Sequence, residues 1–320
     1  MKCVVTGAAG FIGSHLCERL VADGHEVIGI DCFTDYYPRW IKEHNIAGLR
    51  PRRGFQLWEH DLSAGVPLEL VQGAHWVFHL AAMPGLVRSW HDFDSYNRHN
   101  VTATHRLLEA LRQVPTLQRL VYASTSSVYG RYASGDESMP TRPSSPYGLT
   151  KLAGEHLCRV YAEAFGLPVV ILRYFSVYGP RQRPDMGYFQ FVEALLTGGV
   201  IRLTGDGTQI RGNTYISDCV EATVRAATAM VGETFNVGGG ELVSVAEVIR
   251  VLERLTGQRA RLEYLPPRPG DQLATGADVG KLTRHTGWSP RTPLIEGLAH
   301  QVAWQRSLLQ TGAIALRKAG

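Results

Sequence analysis

Tyr147 and Lys151, four residues apart, form the pair most able to do chemistry in this chain of 320 residues. At that spacing both side chains fall on one face of a helix, one turn apart. An ammonium beside a phenol favours the phenolate, so the spacing predicts a Tyr147 pKa below the usual value near ~10 and an acid/base role. The pair opens a helical pattern just after Pro143 and Pro146, 20 residues beyond a run of hydroxyls, Ser124-Thr125-Ser126-Ser127. Hydroxyls donate and accept hydrogen bonds without adding charge, which suits a polyol or sugar.

A second constellation is Gly7-Ala-Ala-Gly10-Phe-Ile-Gly13, which follows an apolar run at 2–6 and precedes a helical period through Leu16, Leu20 and Val21. In strand–turn–helix context Gly7 permits a tight turn, Gly10 admits a pyrophosphate to the backbone, and Gly13 lets the helix pack on the strand. Free N–H groups at the helix start then bind the phosphates. Asp31 stands 18 residues past Gly13, at the end of the next strand-like run. A carboxylate there accepts hydrogen bonds from a ribose diol and repels a 2′-phosphate, so NAD is favoured over NADP.

The elements that must position these groups follow from periodicity. Strand-like runs recur at 26–30, 55–58, 75–80, 117–123 and 168–173, with helical patterns at 96–111 and 147–165. Repeated strand–helix alternation predicts an α/β fold, a Rossmann-type doubly wound parallel sheet with its ligand crevice at the strand carboxyl ends. Asp61-Leu62, Leu80-Ala81-Ala82 and Ser124–Ser127 fall at such ends. The small residues at 81 and 82 let a cofactor lie against the backbone. After residue 175 Gly and Pro become frequent, and helical patterns recur at 189–196, 218–230, 245–255 and 294–308. The expectation is an NAD-binding domain over 1–175 and a smaller, mixed substrate lobe over 176–320, with some strands returning to the main sheet.

Composition excludes other classes. Hydrophobic residues make up 44% of the chain, too many for disorder. Apolar runs are far below the ~18–20 residues of a membrane helix. A net charge of +4 without a basic run gives no nucleic-acid footprint. The five cysteines lack metal-like or C-x-x-C spacing and suit reduced thiols in the cytoplasm. His75 and His79 have no Cys or acid completing a site, so no metal is expected. Only five residues are Lys, which makes each one informative.

Together Thr6–His15, Asp31, Asp61-Leu62, His79–Ala82, Ser124–Gly130 and Tyr147–Lys151 resemble the extended short-chain dehydrogenase/reductases. Leu172–Pro180, Gly205–Arg211 and Arg268-Pro-Gly-Asp271 are similar to the nucleotide-sugar epimerases within that family. The resemblance implies that Tyr147 is the acid/base, that Lys151 binds the nicotinamide ribose and tunes Tyr147, and that Thr125 hydrogen-bonds the reacting hydroxyl. It implies an NAD site of Gly7, Gly10, Phe11, Ile12, Gly13, Asp31, Asp61, Leu62, Leu80, Ala81 and Ala82. Ser176 would touch the substrate, and Arg211 and Arg268 would hold its nucleotide, with UDP the one implied, as forks for phosphate oxygens. A homodimer through helices near 96–112 and 147–165 is also implied, although apolar positions there suit a core equally.

Dehydratases of this family carry an Asp-Glu pair where this chain has Ser126-Ser127, and uronate decarboxylases usually carry Glu at the second position. Serine is neither acid nor base at neutral pH, which leaves oxidation and re-reduction at C4, that is, epimerisation. Arg181–Met186 resembles a stretch of the UDP-glucuronate 4-epimerases. The implied substrate is UDP-glucuronate, its C6 carboxylate held by Arg183 with Ser126 or Ser127. Pairing of Arg183 with Asp185 or with solvent is an equal alternative. A neutral-hexose 4-epimerase and a non-catalytic NAD-sensing protein on the same fold are the competing functions.

Overall fold

The computed structural model describes residues 1–266 and 272–310. Five strands alternate with helices at the start: β1 (Lys2–Thr6), β2 (Glu26–Asp31), β3 (Phe55–Glu59), β4 (Trp76–His79) and β5 (Arg119–Thr125). β6 (Tyr132–Gly135) precedes the long helix Pro146–Phe165, and β7 (Val169–Tyr174) and β8 (Ser176–Tyr178) follow it. The remaining strands are β9 (Val200–Thr204), β10 (Ile210–Tyr215), β11 (Thr234–Val237), β12 (Leu242–Ser244), β13 (Arg261–Leu265) and β14 (Ala274–Ala277).

Among the described residues a seven-stranded sheet runs in the order β11-β7-β5-β4-β1-β2-β3. All its pairings are parallel. The α/β, doubly wound architecture is therefore as expected. Strand order reverses at β1, which opens a crevice at the carboxyl ends of β1 and β4. Side chains alternate across the sheet, so Cys3 and Val5 join one core and Val4 the other. Helices Phe11–Ala22 and Ile216–Ala226 cover the first face, and Ala103–Leu111 and Pro146–Phe165 the second. Burial on both faces explains why these strands read as nearly unbroken apolar runs.

A second sheet, β12-β10-β14-β6 with β8 on β10, and the pair β9–β13 build the smaller lobe. The two sheets exchange chain across residue 175: β11 returns to the edge of the main sheet, while β6 leaves to pair with β14.

The helical pattern at 96–111 is not one regular α-helix. A π-helical segment, Asn97–Thr102, joins Phe93–Tyr96 to Ala103–Leu111. The wider turn carries Asn100, which is fully buried. Its amide accepts from the Met83 N–H at 2.7 Å and donates to Met83 O at 3.1 Å and Thr150 Oγ1 at 3.0 Å. The segment thus ties the loop after β4 to the helix that carries Tyr147. No helix among the described residues is long and apolar enough to cross a membrane.

Candidate active site

The glycine turn shows why its spacing is strict. Gly7 adopts φ +71°, and a Cβ on Gly13 would lie 2.1 Å from the Gly7 carbonyl oxygen. The helix can start over the turn only without that atom. Helix Phe11–Ala22 has no side-chain cap at Gly10 and no acid in its first turn. Its first N–H groups therefore have no helical partner and face an anion site. At the end of β2, Asp31 accepts from the Ala9 N–H at 3.1 Å and the Phe33 N–H at 2.8 Å. Phe11, Ile12, Leu62, Leu80, Ala81 and Ala82 line the same cleft with Gly7, Gly10, Gly13, Asp31 and Asp61. An open helix start, a glycine cradle and a carboxylate at the neighbouring strand end fit NAD.

Tyr147 and Lys151 close the far end of this cleft. Ser145 caps their helix by accepting from the Gly148 N–H at 3.1 Å, with Pro146 in the first turn. Thr125, 8% exposed at the end of β5, is hydrogen-bonded to the Tyr147 phenol. Lys151 is buried, with Nζ 4.3 Å over the Tyr122 ring, and burial pulls its pKa down to about 8.

The electrostatics correct one expectation. Burial raises the Tyr147 pKa above its ordinary value, and this outweighs the opposing pull of Arg183 and of the Thr125 hydrogen bond. In the protein alone the main cationic influence on Tyr147 is Arg183 rather than Lys151. Sequence spacing shows which groups are near one another but not how dry they are.

A larger chamber of about 890 Å³ adjoins the cleft, lined by Ser176, Tyr188, Arg211, Asn213 and Gln272. Arg211 donates to the carbonyls of Gln272 at 2.7 Å and Leu273 at 3.4 Å. Arg183 lines the cofactor cleft and its partner Asp185 lines the chamber, so this ion pair, at 2.9 and 3.0 Å, is the seam between them. Of the pairings open to Arg183, the structure has the one with Asp185. Arg268 lies outside the described residues.

The hydroxyl run does not act as one group. Ser124 donates to Glu155 at 2.5 Å, inside a buried network with Arg173. Strand alternation turns it away from the face that Thr125 presents. Ser126 donates to Gln272 at 3.3 Å, and Ser127 lies 3.3 Å from Thr125. His79 lies between Thr6 at 2.8 Å and Thr104 at 3.0 Å, and His75 accepts from the Lys2 N–H at 3.2 Å.

Several site residues escaped the sequence reading. Lys42, 6% exposed, lies 3.4 Å from Asp31 and 3.3 Å from Thr34. Its rarity was a usable signal. Tyr36 and Tyr37 also line the cofactor cleft. So do Cys32 and His99, whose donor atoms lie within 4.8 Å of one another and of the expected site residue Asp61. Asp61 is engaged by the Ser63 N–H at 2.8 Å and Arg98 at 3.3 Å.

Comparison with known proteins agrees with this geometry. A family model described as the NAD dependent epimerase/dehydratase family matches residues 3–238. The chain is 44% identical to an uncharacterized UDP-glucose epimerase, YtcB, of Bacillus subtilis, over 97% of this chain and 99% of that one. It is 35% identical to a UDP-glucuronate 4-epimerase of Thermodesulfobacterium geofontis, over 96% and 97% of the two chains. Among solved structures, the UDP-glucuronic acid 4-epimerase of Bacillus cereus in complex with UDP-glucuronic acid and NAD superposes with a TM-score of 0.93. It is 42% identical, and the match covers 96% of this chain and 100% of that one. This chain belongs to the NAD dependent epimerase/dehydratase family.

Proposed function

We propose that this chain interconverts UDP-glucuronate and UDP-galacturonate by NAD-dependent epimerisation at C4. The observation that carries the reading is the meeting of Thr125, Tyr147 and Arg183 where the cofactor cleft joins the larger chamber. NAD, when bound, would supply the hydride acceptor and donor for C4. Gly7, Gly10, Phe11, Ile12, Gly13, Asp31, Asp61, Leu62 and Leu80–Ala82 hold it, and Lys151 orients its ribose near Tyr147. Tyr147 takes the 4-hydroxyl proton, and Thr125 keeps that hydroxyl in line. The 4-keto sugar turns over in the chamber while Arg211 and Arg268 hold the nucleotide. Tyr147 then returns the proton to the C4 oxygen. Ser126 and Ser127 supply no acid or base for elimination at C5 and C6.

A 4-keto uronate is a β-keto acid that loses CO₂ readily unless its carboxylate is held. Arg183, Ser126 or Ser127 and Ser176 take that task. Arg183 meets Asp185 through Nε and Nη2, which leaves Nη1 outside the ion pair. A neutral-hexose 4-epimerase is the second reading. The fork already has a protein carboxylate, and the B. subtilis relative is named for UDP-glucose. Arg183→Ala separates them. A lost charge-assisted hydrogen bond costs about 1.5–3 kcal/mol, so uronate turnover should fall roughly 10–150-fold further than turnover of UDP-glucose. Equal effects on both sugars, with wild type using both equally, select the neutral-hexose reading.

The functional unit in this reading is a homodimer through the helices near 96–112 and 147–165, and Leu149, Val160 and Phe165 of the second are 52%, 56% and 50% exposed. Its mass in solution tests this. All five cysteines are unpaired, which fits a reducing cytoplasm.

A further inference from the structure

Two loops meet over the junction of cleft and chamber. One follows β2 and carries Tyr36, and the other follows β8 and carries Arg183 and Asp185. Tyr36 donates from its hydroxyl to Asp185 Oδ2 at 3.2 Å, across 149 residues of sequence. Asp185 in turn takes the Arg183 fork at Nε and Nη2. The Arg183 guanidinium also lies 5.9 Å from the centre of the Tyr36 ring. A Cβ on Gly85 would lie 2.1 Å from the Tyr36 hydroxyl and 3.7 Å from Asp185 Oδ2, so the loop after β4 closes against the same bond. Among the described residues the two non-glycine positions with left-handed backbone are Phe33 and Arg181, one in each loop. Such backbone is strained and persists where surrounding contacts over-determine it.

Arg183 is thus a charge next to Tyr147 that another charge fixes and partly cancels. We propose that Asp185, held by Tyr36, is a positioning residue that sets both the place and the effective charge of Arg183 beside Tyr147. This rests on the reading of Tyr147 as the acid/base. Asp185 itself touches neither the reacting hydroxyl nor the phenol in this scheme.

The groups facing Tyr147 can be named from each element around it. Its own helix supplies Lys151, and β5 supplies Thr125 and Tyr122. Helix Phe93–Tyr96 supplies Tyr96, ring centres 6.2 Å apart, and the two loops supply Arg183 with Asp185 and Tyr36 with Tyr37. Burial raises the pKa of Tyr36, Tyr37, Tyr96 and Tyr122, so these phenols stay neutral in the working range. The charges close to Tyr147 are then those of Lys151, Arg183 and Asp185. A cation favours phenolate and an anion opposes it. Removing the Asp185 charge should therefore lower the Tyr147 pKa, and removing Arg183 should raise it.

Steady-state kinetics of the NAD-loaded enzyme across pH test the proposal. With Asp185→Asn, kcat for UDP-glucuronate is expected to fall about tenfold, with KM within about twofold, as for loss of positioning rather than of binding. The pH limb assigned to Tyr147 should move about half a unit toward acid, the size expected of one charge at a partly screened distance. Arg183→Ala should move that limb toward base, and Asp185→Glu should bring it back toward wild type. Tyr36→Phe removes one hydrogen bond and no charge, so kcat should fall several-fold while the limb stays in place. It also provides a test if Asp185→Asn does not fold. The proposal is overturned by an unmoved limb in Asp185→Asn, by a shift in the same direction as Arg183→Ala, or by wild-type kcat in both Asp185→Asn and Tyr36→Phe. Failure of the underlying reading shows separately, as turnover retained by Tyr147→Phe.

Discussion

The ammonium of Lys151 lies 4.3 Å above the ring of Tyr122, one helical turn beyond Tyr147. This is a charge buried at a cost in stability. Burial lowers its pKa from 10.5 to about 8. A lysine whose pKa falls on folding binds fewer protons folded than unfolded between those two values. Stability from this group therefore rises with pH across that window, and the full cost is present below about 8.

Lys151→Met should accordingly stabilise the protein near pH 7, by up to about 3 kcal/mol, while removing most turnover. Urea midpoints at pH 7 and pH 10 check this. The gain should shrink at the higher pH. A variant less stable than wild type at both values contradicts it.

Tyr147→Phe should abolish nearly all turnover and leave NAD bound. In the proposed mechanism the phenol oxygen takes the substrate proton, whereas the ring can keep its edge-on contact with Tyr96. Turnover assays alongside cofactor content of the purified variant decide the point. Wild-type-like turnover removes Tyr147 from the mechanism.

Gly13→Ala places a methyl 2.1 Å from the Gly7 carbonyl oxygen, against backbone that cannot step aside. The helix start must shift, which should cost about 1–3 kcal/mol and most of the affinity for NAD. Thermal unfolding and NAD titration measure the two effects. A variant that binds NAD normally contradicts the cradle assigned here.

The parts of the site that lie within one strand–turn–helix unit were legible in the sequence. Gly7 to Gly13, Asp31 and the Tyr147–Lys151 spacing are of this kind, because local geometry fixes them. The separate place of Ser124 was not, because the run of hydroxyls concealed the strand alternation that turns it away from Thr125 and onto Glu155. Lys42 was not, because an irregular loop lies between it and Asp31 and only folding brings them to 3.4 Å. Nor was the bond from Tyr36 to Asp185, which depends on two loops meeting across the crevice. The raised pKa of Tyr147 was hidden for another reason: desolvation depends on everything packed around the phenol, and spacing reports only its neighbour.

An epimerase must keep its reduced cofactor until the ketone is reduced again. The central claim is tested most directly with UDP-glucuronate carrying deuterium at C4, incubated with the purified protein without added NAD beyond a catalytic amount. The expected result is UDP-galacturonate that retains the deuterium at C4, with no free NADH accumulating. Deuterium lost to water, or appearing in free NADH in proportion to turnover, would contradict epimerisation by a hydride that leaves C4 and returns to it.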